Sequence, residues 1–239
     1  MSPLIVSLVV GVLICYFVCG IPFGLIIART DGVDVRHVGS GNIGTTNVAR
    51  SVGAKAAAAT LVCDVLKGLA SMLATRELVA VVCFGGDFAM TNPTTSFGWV
   101  TSLLYLACIC GHVFSPYLGL HGGKGIAVGF GAVLGLAWPL ALGLLAVFMV
   151  FALPTRYVSI GSIAADISVP IWGLVLGFTS AAIPPLVVVS CVVAWAHRAN
   201  IAKLVHGQER KFSFHHSGQT QSKKGTSDDD IPRKGSAAR

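Results

Sequence analysis

Residues 3 to 28 read PLIVSLVVGVLICYFVCGIPFGLIIA, an apolar run with no charged side chain. A helix needs about 20 apolar residues to cross the hydrocarbon core of a membrane, so this run is long enough to span it. It lacks the basic flank and cleavage site of a signal peptide, and we expect it to be retained. The 239-residue chain is 54% hydrophobic and 11% charged, with a mean hydropathy of +0.77. This composition predicts an integral membrane protein.

Further apolar runs extend this pattern along the chain. They cover residues 54–74, 99–120, 126–153 and 158–196, and the last is long enough for two short helices. Proline can break a helix, so Pro139 and the Pro184–Pro185 pair leave the number of spans open. The sequence therefore predicts an all-α integral membrane protein, a compact bundle of 5 to 7 transmembrane helices.

Lysine and arginine are unevenly distributed between the apolar runs. Basic residues follow the first run, the third run and the last run, among them Arg29, Arg36, Arg50, Lys55 and Lys124. Because cytoplasmic loops carry the excess of Lys and Arg, we expect an odd number of spans, with the N-terminus outside and the C-terminus cytoplasmic. Arg156, which we expect near an outer loop, is a mild exception.

The C-terminal segment differs in composition from the rest of the chain. From about Ser213 it is rich in Gly, Ser, Lys and Asp. We therefore predict a membrane-embedded domain, residues 1–211, and a disordered basic and polar cytoplasmic tail, residues 212–239. The basic charge of the tail is explained by topology, with attraction to anionic lipid headgroups as the alternative. We predict no nucleic-acid partner.

Few reactive or ionisable side chains lie inside the predicted spans. The seven cysteines show no metal-ligand spacing, so we expect small core residues and predict neither a metal nor another cofactor. Asp64 and Lys67 are three residues apart and are expected to form a structural ion pair. Asp166 has only Ser159 and Ser162 on nearby turns, so it faces either a wet cavity or a helix break.

The first polar cluster lies between two apolar runs and reads Gly-Ser-Gly-Asn-Ile-Gly-Thr-Thr-Asn-Val-Ala-Arg, from Gly39 to Arg50. Glycine lets backbone N–H groups turn towards a ligand, hydroxyl groups add donors, and arginine binds phosphate through its two-pronged guanidinium. The cluster therefore predicts an anion site at a membrane face. The backbone and side chains expected to bind substrate phosphate here are those of Gly39, Ser40, Gly41, Asn42, Gly44, Thr46, Asn47 and Arg50.

Two further polar clusters follow at the same predicted membrane face. Gly122-Gly123-Lys124-Gly125 precedes a helix that begins near Ile126, so we expect its backbone and its ammonium to meet a phosphate; a turn that only sets topology is the alternative. It is not a Walker A loop, because no Ser or Thr follows the lysine. In the third cluster, His197, Asn200 and Lys203 share a helix face, and Glu209 is expected to pair with a cation or fix the loop.

These three clusters resemble the motifs of the bacterial acyl-phosphate:glycerol-3-phosphate acyltransferases, the PlsY family. The matching residues are Gly39 to Asn47 with Arg50, then Gly122 to Gly125, then His197, Asn200, Ile201, Leu204, Gly207 and Glu209. Three positions depart from the family: Thr45 replaces the usual alanine, Val128 a threonine and Lys203 an arginine. The loss of an arginine fork at Lys203 weakens the case for a phosphate contact there.

The resemblance implies transfer of a fatty acyl group from acyl phosphate to the 1-hydroxyl of glycerol 3-phosphate, giving lysophosphatidic acid and phosphate. In this interpretation Ser40 and the backbone of Gly39 to Gly44 hold the phosphoryl group of the donor. Arg50 and Lys124 neutralise the substrate phosphates, and His197 and Asn200 position glycerol 3-phosphate. Lys203 and Glu209 support the site. Either His197 or a substrate phosphate acts as the base.

The same resemblance implies the surroundings of the reaction. The partners are the two substrates, membrane lipid and an upstream enzyme that produces acyl phosphate. The expected location is the inner membrane of a bacterium, with a cytoplasmic active site. Two alternatives are an acyltransferase that uses acyl-CoA and a transporter of a phosphorylated solute. The first usually has His followed five positions later by Asp, and the second has paired repeats; we find neither pattern.

Overall fold

The computed structural model describes residues 2–211, and no β-strand occurs in this range. The predicted tail, residues 212–239, lies outside the described residues. The all-α prediction is confirmed. The helices are α1 Pro3–Gly20, α2 Phe23–Thr30, α3 Thr45–Ser51, α4 Ala54–Phe84, α5 Gly98–Val113, α6 Ile126–Leu136, α7 Trp138–Thr155, α8 Val158–Val175, α9 Ile183–Ala196 and α10 Arg198–Val205.

The predicted range of five to seven spans is confirmed. Within residues 2–211, five helical segments are long and apolar enough to cross a membrane, and the α9–α10 pair, bent by 59°, gives a sixth. Helix α6 is a shorter apolar helix of 11 residues. The long run from Val158 holds two helices, as predicted, with a turn at Gly177 between α8 and α9.

The first apolar run is broken rather than continuous. Helix α1 ends at Gly20 and α2 begins at Phe23, because Pro22 has no N–H to continue the helical hydrogen bonds. The carbonyl groups released at the break are used by neighbouring helices: Ser115 Oγ donates to Gly20 O at 2.7 Å, and Lys67 Nζ donates to Ile21 O at 2.6 Å. Lys67 also pairs with Asp64 at 2.7 Å, so the predicted ion pair is confirmed.

The run from Ile126 to Leu153 contains two helices. Ala137 is extended, with φ −160° and ψ 106°, and Pro139 lies in the first turn of α7. Helix α6 packs closely on α4, where a Cβ at Gly131 would lie 1.9 Å from Val65 O. Its last carbonyls meet Arg76 of α4, so α6 and α7 form a hairpin inside the bundle.

This hairpin changes the predicted position of Arg156. The turn that contains Arg156 leads into α8, whose first-turn Ser159 donates to Glu209 of the third polar cluster at 3.2 Å. Arg156 therefore lies at the same end of the bundle as the polar clusters, and the prediction that it lies at the opposite end was wrong. The error arose because two helices, not one, occupy the preceding apolar run.

The bundle has two distinct ends. We call the end with Gly39–Arg50, Gly122–Gly125 and His197–Glu209 the site end, and the end with residues 2–3, 85–97 and 176–182 the far end. Ser7 of α1 contacts Cys83 of α4 at 3.3 Å, whereas Cys19 contacts Ser71 at 3.7 Å, so α1 and α4 are antiparallel. Residue 2 therefore lies at the far end, and residue 211 lies at the site end.

Candidate active site

The three polar clusters line one cavity of about 930 Å³ at the site end. A cavity of this volume is large enough for a ligand of the size of a lipid precursor. Gly41 is the one predicted site residue that does not line it. The predicted residues that do line it are Gly39, Ser40, Asn42, Gly44, Thr46, Asn47, Arg50, Gly122, Gly123, Lys124, Gly125, His197, Asn200, Lys203 and Glu209.

Asn47 braces the first loop. It is 2% exposed, its Nδ2 donates to Val35 O at 3.0 Å and Val38 O at 3.1 Å, and its Oδ1 accepts from Ser40 N at 2.9 Å. Both of its N–H donors are therefore used to hold the loop, and its predicted contact with phosphate would require one of these hydrogen bonds to be exchanged. Gly39, at φ +63°, has no Cβ because that atom would lie 2.3 Å from Asn47 Oδ1.

Some hydrogen-bond donors in the rest of the first loop are already used by protein acceptors, and others are not. Gly41 N donates to Val38 O at 3.0 Å, and Gly44 N donates to Asn42 Oδ1 at 2.8 Å, so neither N–H is available as predicted. The Thr45 hydroxyl is buried and has no hydrogen-bond partner among residues 2–211. Ser40 and Arg50 also face the cavity. A ligand anion would therefore meet hydroxyl and guanidinium groups on a loop that Asn47 holds rigid.

The second loop is held by the end of α5. Gly122 N donates to Val113 O and Gly123 N donates to His112 O, each at 3.0 Å. These N–H groups cap the helix, so their predicted contact with phosphate would require these hydrogen bonds to be exchanged. A Cβ at Gly123 would lie 2.2 Å from His112 Nε2, which explains the need for glycine. His112 Nδ1 is 3.2 Å from Lys67 Nζ and accepts its hydrogen bond.

Lys124 lies between Gly123 and Gly125 and lines the cavity. Burial lowers the pKa of its ammonium from the usual value; the carboxylate of Glu209 opposes this shift, and the charges of Lys203 and Arg50 add to it. Within residues 2–211 it forms no ion pair. Lys124 therefore contributes a cation whose charge is not neutralised directly by any carboxylate among the described residues.

His197 follows the last residue of α9 and is 1% exposed. Its Nδ1 is 2.9 Å from Val193 O, and since a carbonyl only accepts, Nδ1 carries the proton. The neutral ring then has its basic nitrogen at Nε2, and His197 is one of the residues that line the cavity. Burial lowers the pKa of His197 to about 4, so the imidazole is neutral at pH 7. It can accept a hydroxyl hydrogen bond there.

Glu209 joins three parts of the site end. Asn200 Nδ2 donates to its Oε1 at 2.8 Å, and Ser159 Oγ donates to the same oxygen at 3.2 Å. Of the two predictions for Glu209, the structure supports the one in which it fixes the loop after Gly207. Lys203 lines the cavity and is exposed. Ser159 was not among the predicted site residues, because a lone serine at a helix start carries little signal in the sequence.

The inner part of the cavity is apolar and lies between helices of the bundle. Sequence reasoning did not assign these residues, because apolar side chains of a groove and of a core look alike. They include Ile109, Val113, Phe130, Leu144, Leu145, Phe148, Ala165, Val169 and Val193. The cavity thus joins a cationic, hydroxyl-rich mouth to an apolar interior. A fold and site of this kind define an integral membrane protein that handles an amphipathic anion.

Known proteins identify the family. The profile for "Glycerol-3-phosphate acyltransferase" matches residues 9–207. The chain belongs to this family of glycerol-3-phosphate acyltransferases. It is 39% identical over 207 residues to the glycerol-3-phosphate acyltransferase of Rubrobacter xylanophilus, covering 87% of this chain and 96% of that protein. It is 41% identical over 197 residues to that of Brucella anthropi, covering 82% and 89%.

A solved structure supports the same assignment. The crystal structure of PlsY (YgiH), an integral membrane glycerol 3-phosphate acyltransferase, in its glycerol 3-phosphate form superposes with a TM-score of 0.75 and 34% identity. It covers 87% of this chain and 96% of the other. The form of that enzyme with lysophosphatidic acid gives a TM-score of 0.72 at 33% identity. The chain is therefore a membrane acyltransferase of phospholipid biosynthesis, and the predicted family resemblance is confirmed.

Proposed function

We propose that the protein transfers a fatty acyl group from acyl phosphate to the 1-hydroxyl of sn-glycerol 3-phosphate, giving lysophosphatidic acid and inorganic phosphate. The observation that carries the proposal is the cavity, which joins the cationic mouth to an apolar interior. An acyl phosphate needs both parts, since its phosphoryl group is anionic and its chain is apolar. Glycerol 3-phosphate needs only the mouth.

Two groups of side chains suit the two anions. The loop with Ser40 and Arg50 takes the phosphoryl group of the donor, and Lys124 lies between the two phosphates. Asn200 and His197, from the opposite side of the mouth, hold glycerol 3-phosphate. Hydrogen bonds to ionised oxygens are stronger than those between neutral groups, so this arrangement orients both substrates before reaction.

The chemical step then requires little covalent chemistry from the protein. His197 Nε2 accepts a hydrogen bond from the 1-hydroxyl group. This hydrogen bond directs the hydroxyl oxygen at the acyl carbonyl carbon. The hydroxyl oxygen forms the new ester bond, the bond between that carbon and the phosphate oxygen breaks, and the phosphate leaves with the electron pair. The hydroxyl proton ends on phosphate, directly or through His197. Lys124 and Arg50 stabilise the charge on the departing phosphate.

The closed far end favours an acyltransferase over a transporter. Arg76 is 5% exposed and donates to the carbonyl oxygens of Gly135 and Leu136 and to the Thr91 hydroxyl. Between Val65 and Tyr105, no described residue lines the cavity. A transporter is expected to hold its substrate near the middle of the membrane between paired repeats, whereas the three polar clusters lie at one end of the bundle and the sequence shows no repeat.

We place the site end at the cytoplasmic face of a bacterial inner membrane. Arg29, Arg50, Lys124 and Arg156 lie at the site end, whereas residues 85–97 and 176–182 at the far end contain no Lys or Arg. Excess basic charge marks the cytoplasmic side. This orientation puts residue 2 outside and residue 211 inside, and lets an upstream enzyme deliver acyl phosphate from the cytoplasm.

The proposal is tested by the products of purified protein in detergent. With acyl phosphate and glycerol 3-phosphate together, we expect lysophosphatidic acid and inorganic phosphate in a one-to-one ratio, measured by mass spectrometry and a phosphate assay. Without glycerol 3-phosphate, phosphate release should fall to the rate without enzyme. Phosphate release without lysophosphatidic acid, or no reaction of acyl phosphate, would overturn the proposal.

A further inference from the structure

Three polar side chains lie in the apolar interior of the cavity, away from the cationic mouth. We call Tyr105, Ser162 and Asp166 the inner polar pocket. All three line the cavity, and they are only 3%, 3% and 6% exposed. Polar groups buried in an apolar site are costly unless they are hydrogen-bonded. Their presence in the part of the cavity that would hold hydrocarbon therefore needs an explanation.

The side chain of Asp166 lacks a protein partner. Its Oδ2 is fully buried and forms no hydrogen bond within residues 2–211. By contrast, the neighbouring Ser168 donates to Ala165 O at 2.7 Å, and the backbone carbonyl of Asp166 accepts from Ser190 at 2.7 Å. The fold thus satisfies the polar groups around Asp166 but leaves its carboxyl group facing the cavity.

Asp166 on α8 and Tyr105 on α5 lie at the same depth below the mouth of the cavity. Asp166 is seven residues beyond Ser159 on α8, and Tyr105 is seven residues before His112 on α5, and both reference residues lie at the mouth. At 1.5 Å per residue each is roughly 10 Å below the mouth. One leaflet of the hydrocarbon core is about 15 Å thick, so this depth corresponds to a position well along an acyl chain.

Gly129 of α6 lies beside the Tyr105 hydroxyl and, like Tyr105, lines the cavity. A Cβ at Gly129 would lie 2.8 Å from Ile109 Cδ1 and 3.4 Å from Tyr105 Oη, so a larger residue would narrow the cavity at this point. Ser162 and Asp166 are four residues apart and share a face of α8. A hydroxyl, a carboxyl and a phenol then surround one short segment of the cavity.

We propose that the inner polar pocket recognises a hydroxyl group on the acyl chain, so that Asp166 is a specificity-determining residue. This inference rests on the proposed acyltransferase function. An unsubstituted chain leaves the carboxyl of Asp166 without a hydrogen-bond partner, whereas a chain hydroxyl at the right depth gives it one. Discrimination comes from that one buried group, since an unsubstituted chain leaves its hydrogen bond unmade and is therefore used less efficiently.

The test uses acyl phosphates of one chain length, either unsubstituted or with a hydroxyl at successive positions. For the wild-type protein we expect kcat/KM to peak at one hydroxyl position, about fivefold above its neighbours. Asp166→Leu should remove the peak, and Asp166→Asn should keep it, because the amide both donates and accepts. Tyr105→Phe removes only a hydroxyl and should lower the peak. Ile167→Ala, at a lipid-facing neighbour that is 52% exposed, is the matched control and should not change it.

Each result has a defined meaning. A flat profile in the wild-type protein, an unchanged peak in Asp166→Leu, or loss of the peak in both Asp166 variants would overturn the inference. Turnover of the unsubstituted acyl phosphate is measured in the same series and tests the proposed function separately. If the wild-type protein converts the unsubstituted chain but shows no peak, the proposed function stands and only the proposed role of the inner polar pocket is overturned.

Discussion

Two cations lie at opposite ends of the bundle and are used in different ways. Arg76 near the far end is buried, and its guanidinium is bound by two backbone carbonyls and a threonine hydroxyl. Lys124 at the site end is half-buried and forms no ion pair within residues 2–211. A cation fully bound by protein groups holds the fold together. One that faces a cavity without such partners is available for an anionic ligand.

The largest effect should come from removing the available cations. Lys124→Ala and Arg50→Ala should each lower kcat/KM at least about 100-fold, because charge on the departing phosphate loses its stabilisation. Initial rates in detergent measure this. Lys55→Ala is the matched control, since Lys55 is exposed at the site end and does not line the cavity, and it should keep the wild-type rate. A wild-type rate in Lys124→Ala would remove this residue from the site.

A substitution of Arg76 tests whether the cation bound by protein groups has a structural role. Arg76→Leu leaves three buried acceptors without their donor, so we expect the midpoint of thermal unfolding to fall by roughly 6 to 12 °C. Well below the new midpoint, the rate per folded molecule should match that of the wild-type protein. The measurement pairs a thermal unfolding curve with an assay at low temperature. Lost activity at an unchanged midpoint would contradict a structural role.

The titration of the His197 ring tests whether this side chain is buried at the site end. Because burial lowers its pKa to about 4, the ring stays neutral as the pH falls from 8 to 5.5 and gains its proton only on further acidification. An exposed histidine would titrate near 6.5. We expect the NMR signal of labelled His197, identified by its loss in His197→Gln, to remain constant between pH 8 and 5.5. A midpoint near 6.5 would show that the ring is solvated.

The smallest effect is expected at Thr45, whose buried hydroxyl has no partner among residues 2–211. Thr45→Ala removes one hydrogen-bond donor from the mouth of the cavity without leaving a protein group unpaired. We expect the KM for acyl phosphate to rise about threefold while kcat and the unfolding midpoint stay the same. Steady-state kinetics at varied acyl phosphate measure the change. A large fall in kcat would place Thr45 in the chemical step instead.

The sequence predicted the helices better than the path between them. Long apolar runs identify spans because the membrane demands about 20 apolar residues for each. The same composition did not decide whether the run from Ile126 holds one helix or two, since the chain is apolar on both sides of Ala137 and Pro139 allows either. The position of Arg156 depends on that boundary, which is why it was predicted at the wrong end of the bundle.

For the site, residue types indicated the chemistry but not which groups were free. Ser40 and Asn47 look equally suitable in the first loop, yet Asn47 is used up by Val35, Val38 and Ser40. Similarly, Gly122 and Gly123 bind the last carbonyls of α5, a contact between segments that spacing along the chain does not reveal. Hydrogen bonds between segments decide which polar groups remain for a ligand.

The central claim is that the groups left free at the site end hold a phosphoryl donor. The most direct measurement compares kcat/KM for acyl phosphate and for acyl-CoA of the same chain length, with one preparation of protein and saturating glycerol 3-phosphate. We predict turnover of acyl phosphate at least about 100-fold more efficient than that of acyl-CoA, because we propose that the mouth binds the phosphoryl group of the donor. Equal or greater efficiency with acyl-CoA would contradict the account.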